Sequence, residues 1–344
     1  MHDKAGQALI SVGNVTIRNP VFLAPMSGVS DLPFRRIAWA EGAGLVVSEM
    51  IASEQLARGD DEALLKLKGE GIDPHVVQLA GREAKWMALG AKMALDSGAD
   101  IIDINMGCPA KKVTGGLSGS ALMRDLDHAL TLIEATVDAV DCPVTLKMRL
   151  GWDPTSINAP ELARRAEDAG VQMVTIHGRT RSQFYKGTAD WRAIRAVSEA
   201  VSVPVIANGD VRSVDDATSI LEASGADGVM IGRGAYGKPW LPGHAARYLA
   251  DKTESAAPHG SELSDLVMAH YQALLSHYGP YLGCLCARKH LSWYLDAADP
   301  DVVFVSQEER KALLTAKDPP AVERQIPKLF SRIGPPQTGL VRAA

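Results

Sequence analysis

The sequence is poor in cysteine: Cys108, Cys142, Cys284 and Cys286 are the only four in 344 residues, and their spacing is irregular. That fits a reducing compartment better than a disulfide framework. No stretch approaches the about 18 apolar residues that a membrane-spanning helix requires. The opening residues, MHDKAGQALISVGN, lack the apolar segment of a signal peptide. A cytoplasmic protein is expected. There is no basic excess either, with 36 Lys and Arg against 41 Asp and Glu and a net charge of −5. Any nucleic-acid contact must therefore come from local patches. Three are present: Lys111 with Lys112; Arg179 with Arg181 and Lys186; and Arg288 with Lys289. Each alone reads as solvated surface.

What the sequence does contain is a repeat of short apolar runs. Eight occur: VFLAPM (21–26), LVVSEM (45–50), HVVQLA (75–80), IIDINM (101–106), PVTLKMR (143–149), MVTIHGR (173–179), PVIANGD (204–210) and GVMIGR (228–233). Segments of helical period separate them, and several end in glycine just before the next run, as in SGADIIDI, AGVQMVTI and SGADGVMI. Glycine there suits a left-handed helix cap, and an unbroken apolar run suits a parallel strand covered on both faces. The alternation predicts a (β/α)8 TIM barrel over residues 1–250, with a doubly wound open sheet as the rival. LISVGNVTIRNP, before the first strand, reads as a hairpin plugging the barrel's N-terminal face. The polar stretch 251–262 reads as a linker, 263–333 as a small all-helical domain and 334–344 as a disordered tail.

In such a barrel the chemistry sits at the C-terminal ends of the strands. Those ends carry Pro25, Met26 and Ser27; Glu49; Gln78; Asn105 and Cys108; Lys147 and Arg149; His177 and Arg179; Asn208, Gly209 and Asp210; Gly232 and Arg233. The loops after the last two strands suit a phosphate, because glycine lets backbone N–H groups approach an anion and Arg233 adds charge. GRGAYG (232–237) also matches a dinucleotide-binding glycine pattern. It follows the last strand, however, where that fingerprint needs a further strand with an acidic end. Lys147 suits either a Schiff base or a fixed charge beside an electron-rich cofactor. A cofactor with both a phosphate and such a ring, for which FMN qualifies, would use the phosphate site and the lysine together, with Gln78 and Asn208 on its polar edge. Cys284 and Cys286 read as helix core thiols, since no second ligand pair accompanies them. Trp293 and Tyr294 beside Arg288 and Lys289 suit either core packing or an RNA clamp.

Together APMSGVSDLPFR, GLVVSEM, VVQLAG, IIDINMGCPAKKV, PVTLKMRLGW, TIHGRTR, PVIANGD, GVMIGRGAYGKPW and ARKHLSWYL resemble the tRNA-dihydrouridine synthases, most closely the bacterial B-type. The resemblance implies bound FMN, NADPH as reductant, and reduction of particular tRNA uridines to 5,6-dihydrouridine. It implies FMN contacts at Pro25, Met26, Ser27, Gln78, Lys147, His177, Asn208, Gly209, Asp210, Gly232 and Arg233. Cys108 becomes the proton donor, and Asn105, Lys111, Arg179, Arg288 and Lys289 the expected tRNA contacts, with no metal. The chemistry accounts for a cysteine at a strand end: the uracil C5=C6 bond is conjugated with the C4 carbonyl, so hydride addition at C6 leaves enolate character at C5. A protonated thiol on a loop can supply the missing proton. The rivals are an FMN barrel acting on a free pyrimidine or small enone, a redox-silent RNA-binding barrel and a Schiff-base aldolase.

Overall fold

The computed structural model describes residues 9–298 and 305–335 and divides into two compact units. The first comprises the residues up to Gly234 together with Leu241–Lys252; the second comprises Ala235–Trp240 and the residues from Thr253 onward.

In the first unit a hairpin of β1 (Ile10–Val12) and β2 (Val15–Ile17) precedes nine strand segments. These are β3 (Val21–Leu23), β4 (Leu45–Val46), β5 (Ile51–Ala52), β6 (Val76–Ala80), β7 (Ile101–Met106), β8 (Val144–Arg149), β9 (Val174–His177), β10 (Val205–Asn208) and β11 (Gly228–Ile231). Their order is β4-β3-β11-β10-β9-β8-β7-β6-β5, and every pair is parallel. The two ends of that order belong to one stretch of chain. β4 pairs with β3, β5 pairs with β6, and between them Val47 bridges Val76 in parallel. Residues 45–52 thus act as one interrupted strand that closes an eight-membered barrel, which removes the open-sheet rival and its unpaired edges.

The helix ends follow the glycine pattern. Gly98, Gly170 and Gly225, each just before a strand, have φ of +88°, +98° and +64°, a region where a Cβ is penalised. The hairpin plugs the barrel as expected: Ile10, Val12 and Ile17 pack with Val76, Ile101, Met173 and Ile206 near the starts of the strands. After β9 the pattern thins to a short helical turn, Arg195–Ser198, reached through a long loop. That loop carries Arg179 and the Thr180 and Phe184 carbonyls that Arg149 bonds, in place of a full covering helix.

The second unit is helical. Gly260–Tyr278 and Pro280–Ala297 turn back on each other at Gly279, and Gln307–Thr315 and Pro319–Phe330 follow among the described residues. Its core holds Val267, Tyr271, Leu274, Leu291, Tyr294, Ile326 and Phe330. A Cβ on Gly283 would lie 2.5 Å from the Leu274 carbonyl oxygen, so glycine permits the close helix approach. Asp251 ends one helix and Gly260 begins the next, so the segment expected as a linker holds residues 252–259 outside any helix. Residues 336–344, most of the expected tail, lie outside the described residues.

Candidate active site

Strand register sets the polar side chains in rows. Gln78, Asp103 and Thr145 are neighbours across β6, β7 and β8; Asn105, Lys147 and Thr175 across β7, β8 and β9; Arg149, His177 and Asn208 across β8, β9 and β10. The first row and Asn105 form a continuous hydrogen-bonded chain. Thr145 Oγ1 donates to Asp103 Oδ1 at 2.6 Å, and Gln78 Nε2 donates to Asp103 Oδ2 at 2.6 Å. Asn105 Nδ2 then donates to Gln78 Oε1 at 2.7 Å. Burial pushes the Asp103 carboxyl up, opposed by these hydrogen bonds and by Lys147.

Cys108 sits where β7 ends, on a loop fastened from several sides. Asn105 Oδ1 accepts the N–H groups of Gly107 and Cys108 at 3.2 and 3.0 Å. The Cys108 carbonyl accepts from Ser120 N at 3.0 Å and Ser120 Oγ at 2.8 Å. Arg149, buried, donates from Nε to the Gly107 carbonyl at 2.8 Å and from Nη1 to the carbonyls of Thr180 and Phe184, both at 2.9 Å. It therefore ties the cysteine loop to the loop after β9. Burial raises the Cys108 thiol pKa above its ordinary value, outweighing the Ala110 backbone and the charges of Arg149 and Lys147. The thiol is protonated at neutral pH.

Lys147 is buried and donates to Asn208 Oδ1 at 3.1 Å, while Asn208 Nδ2 donates to the Met230 carbonyl at 2.7 Å. Desolvation, with Arg149 nearby, lowers the Lys147 pKa to about 8. His177 is held neutral, its pKa lowered well below the usual value by burial and then by Arg149, Lys147, Arg179 and Arg233. Beyond β10 the chain turns through two positive φ angles, Gly209 at +129° and Asp210 at +57°. Trp191 Nε1 fixes that turn from outside by donating to the Gly209 carbonyl at 2.7 Å. At β11 the end is open: a Cβ on Gly232 would meet only Ala24 Cβ at 3.7 Å and Met26 Sδ at 3.8 Å. The Pro25–Ser27 turn is held by Met26 N donating to Ser30 Oγ at 2.7 Å and by Gly28 N donating to Glu49.

Residues 22–327 match the model of the dihydrouridine synthase family. The chain belongs to that family. A probable tRNA-dihydrouridine synthase of Rhizobium leguminosarum bv. phaseoli is 58% identical over 312 residues, covering 91% of this chain and 95% of that one. The tRNA-dihydrouridine synthase B of Pseudomonas putida is 45% identical over 287 residues, covering 83% of this chain and 85% of that one. Among solved structures, the old yellow enzyme homologue from Zymomonas mobilis aligns with a TM-score of 0.52 at 15% identity, over 74% of this chain and 95% of that one. Morphinone reductase aligns with a TM-score of 0.51 at 15% identity, over 74% and 93%. At that identity these two show a shared barrel fold.

In this dihydrouridine synthase two expectations change. Arg179, expected to touch tRNA, is buried, and its guanidinium is spent on Asp210 and on the carbonyls of Lys186 and Gly187. Asp210, expected beside FMN, has its carboxylate engaged by Arg179, by the Ala189 N–H and, at 3.5 Å, by Arg233 Nη2. Lys111 is exposed on the short turn after Cys108. Arg288 and Lys289 lie in the helical unit, both half-buried, with Arg288 Nη2 donating to the Ala316 carbonyl at 3.3 Å. Tyr294 is buried in that unit's core, and Cys284 donates to the same Ala316 carbonyl. Sequence reasoning missed Asp103 and Thr145. The signal was available: each lies two residues before a selected polar residue, on the same face of a strand otherwise apolar in its interior.

Proposed function

We propose that the protein is a cytoplasmic, FMN-dependent and NADPH-driven tRNA-dihydrouridine synthase that reduces the C5=C6 bond of particular tRNA uridines. The observation that carries this reading is the Cys108 thiol on a loop pinned at the end of the barrel where the Lys147 side chain is buried.

The residues at this end fit FMN. The open backbone at Gly232 and the turn at Gly209 and Asp210 suit a phosphate, with Arg233 supplying charge. Gln78, after its bonds to Asp103 and Asn105, keeps an N–H and a lone pair for a ring edge. Lys147 would face the ring, with Pro25, Met26, Ser27, His177 and Asn208 lining it. When bound, FMN supplies the two-electron exchange between NADPH and the pyrimidine. Lys147 opposes negative charge in a dry setting where a fixed cation is most effective. Cys108 delivers a proton to C5 of the uracil, and Arg149 keeps its loop from drifting. Asn105 keeps one N–H for the base. The uracil must leave its stack to reach a thiol at the barrel end. Lys111 meets a tRNA phosphate near that point, and Arg288 and Lys289 contribute from the helical unit.

The test is to incubate the flavin-loaded protein with NADPH and unmodified tRNA and map the modified positions. Dihydrouridine appearing only with NADPH is the expected result. A protein that takes up no FMN on titration, or that leaves every uridine intact, overturns the reading.

A further inference from the structure

We infer that Asp103 is a positioning residue for Cys108, acting through the side-chain amides of Gln78 and Asn105. The inference rests on the proposed reaction and adds to it a residue that touches neither base nor flavin in that scheme.

The argument is one of hydrogen-bond direction. At one end of the chain the Asp103 carboxylate accepts from Gln78 Nε2 at 2.6 Å. At the other end the N–H groups of Gly107 and Cys108 donate to Asn105 Oδ1 at 3.2 and 3.0 Å. A backbone N–H can only donate, and the Asp103 oxygen is placed as the acceptor of Gln78 Nε2, whereas an amide has one end of each kind. Between those fixed ends, one orientation of each amide satisfies every bond, and the 2.7 Å contact from Asn105 Nδ2 to Gln78 Oε1 is the link it requires. Turning either amide over would set N–H against N–H or oxygen against oxygen. Gln78, Asp103 and Asn105 are 0%, 4% and 8% exposed, so water cannot repair a mismatch. Thr145 Oγ1, at 2.6 Å from the other Asp103 oxygen, holds the carboxylate in place.

Cys108 is thereby held by its N–H through the relay, while its carbonyl is held by Ser120 at 2.8 and 3.0 Å. Fixing the backbone on both sides fixes where the thiol is presented. A general acid displaced by a fraction of an ångström loses rate at the proton-transfer step while binding is retained. Without Asp103, Gln78 Nε2 has no acceptor, the amides are free to turn, and the Cys108 N–H loses its defined partner.

The experiment uses the full-length, flavin-loaded protein with Asp103→Ala and Asp103→Asn. Three readouts are taken: flavin reduction by NADPH, single-turnover reoxidation by tRNA over a range of tRNA concentrations, and deuterium uptake across residues 105–112. Asp103→Ala should slow reoxidation at saturating tRNA by about tenfold or more and speed uptake at Gly107 and Cys108, while flavin reduction by NADPH, which does not use the Cys108 loop, changes less. Asn keeps an acceptor oxygen for Gln78 and should recover the rate to within about threefold of wild type. If the Ala variant does not fold, Thr145→Val removes one anchor of the carboxylate and should slow the same step several-fold. An Asn variant as slow as Ala would mean that charge matters and the relay does not. Unchanged reoxidation or uptake in the folded Ala variant, or in Thr145→Val, overturns the inference. Wild-type protein that tRNA fails to reoxidise would instead overturn the proposed function.

Discussion

Arg179 holds Asp210 through two parallel hydrogen bonds, Nη1 to Oδ1 at 2.9 Å and Nη2 to Oδ2 at 2.6 Å, with side chains only 2% and 12% exposed. The pair braces the turn at Gly209 and Asp210, where a phosphate is proposed to bind. Arg233 Nη2 also lies 3.5 Å from Asp210 Oδ1 and the Ala189 N–H donates to Oδ2, so losing Arg179 leaves the carboxylate weaker partners and costs less than the about 3–5 kcal/mol of a fully stranded buried charge. Arg179→Ala should therefore lower thermal stability and weaken flavin retention together. Lysine should rescue poorly, because it lacks the two-pronged geometry. Melting curves with and without added FMN check this, and an Arg179→Ala protein with wild-type melting and flavin content would refute it.

The same pair sets an acid limit. Burial works against ionisation of Asp210, but the hydrogen bonds from Arg179 and the Ala189 N–H outweigh it, and the folded-state pKa lies below the ordinary value. A depressed carboxyl pKa contributes stability that is complete above the unfolded value of about 4 and is lost as pH falls through the folded value. Wild-type stability should decline over that acid window, and the decline should be shallower in Asp210→Asn. Parallel pH slopes for the two proteins between pH 5 and pH 2 would show that other carboxyls set the limit.

Much of this arrangement could be read from the sequence, for a physical reason. A strand covered on both faces has to be apolar and its preceding helix has to stop, so the eight runs and the glycines at 98, 170 and 225 declare themselves locally. What escaped depends on partners far along the chain. Arg179 has the composition of a surface cation, and only its approach to Asp210, 31 positions away, makes it a buried brace. The break within 45–52, where Ser48 Oγ accepts the Gln78 N–H at 2.9 Å, is likewise a property of the closed barrel. The placement of Ala235–Trp240 with the helical unit depends on packing around Trp240 that no local pattern reveals.

Lys147 should trade stability for chemistry. Its pKa falls from 10.5 to about 8, chiefly through desolvation. At about 1.4 kcal/mol per unit, burying the ammonium costs at most about 3 kcal/mol near neutral pH. A lowered lysine pKa means that the unfolded chain binds more protons between the two values, so this cost is relieved as pH rises through 8 toward 10.5. Lys147→Met should melt higher than wild type at pH 7, with the gap narrowing by pH 9.5, while dihydrouridine formation is lost. Wild-type turnover should fall above pH 8 as the cation is neutralised. A gap that does not narrow would show that the lysine is not the titrating group.

The exposed Lys111 gives a salt-dependent prediction. A phosphate contact releases counterions, so neutralising one lysine should reduce the slope of log affinity for tRNA against log salt by about one. Lys111→Gln should do this without altering flavin content, whereas Arg288→Ala should also destabilise the helical unit because its guanidinium bonds the Ala316 carbonyl. Binding isotherms at several salt concentrations check both. An unchanged slope for Lys111→Gln removes that residue from the tRNA footprint.

The last prediction concerns the thiol itself. If Cys108 protonates C5, Cys108→Ala should retain flavin and be reduced by NADPH at the wild-type rate, because neither process needs an acid above the uracil. Reoxidation by tRNA should fall by about 10²–10⁴-fold, the range general acid catalysis contributes. Serine should rescue poorly: a hydroxyl is a far weaker acid than a thiol, even one whose pKa burial has raised. The loop should hold its shape in either variant, since its anchors at Asn105, Ser120 and Arg149 all engage backbone atoms. A loss of rate in Cys108→Ala would then report chemistry and not collapse of the loop. Single-turnover reoxidation by tRNA decides the matter, and equal rates for wild type and Cys108→Ala would mean that solvent or another residue supplies the proton.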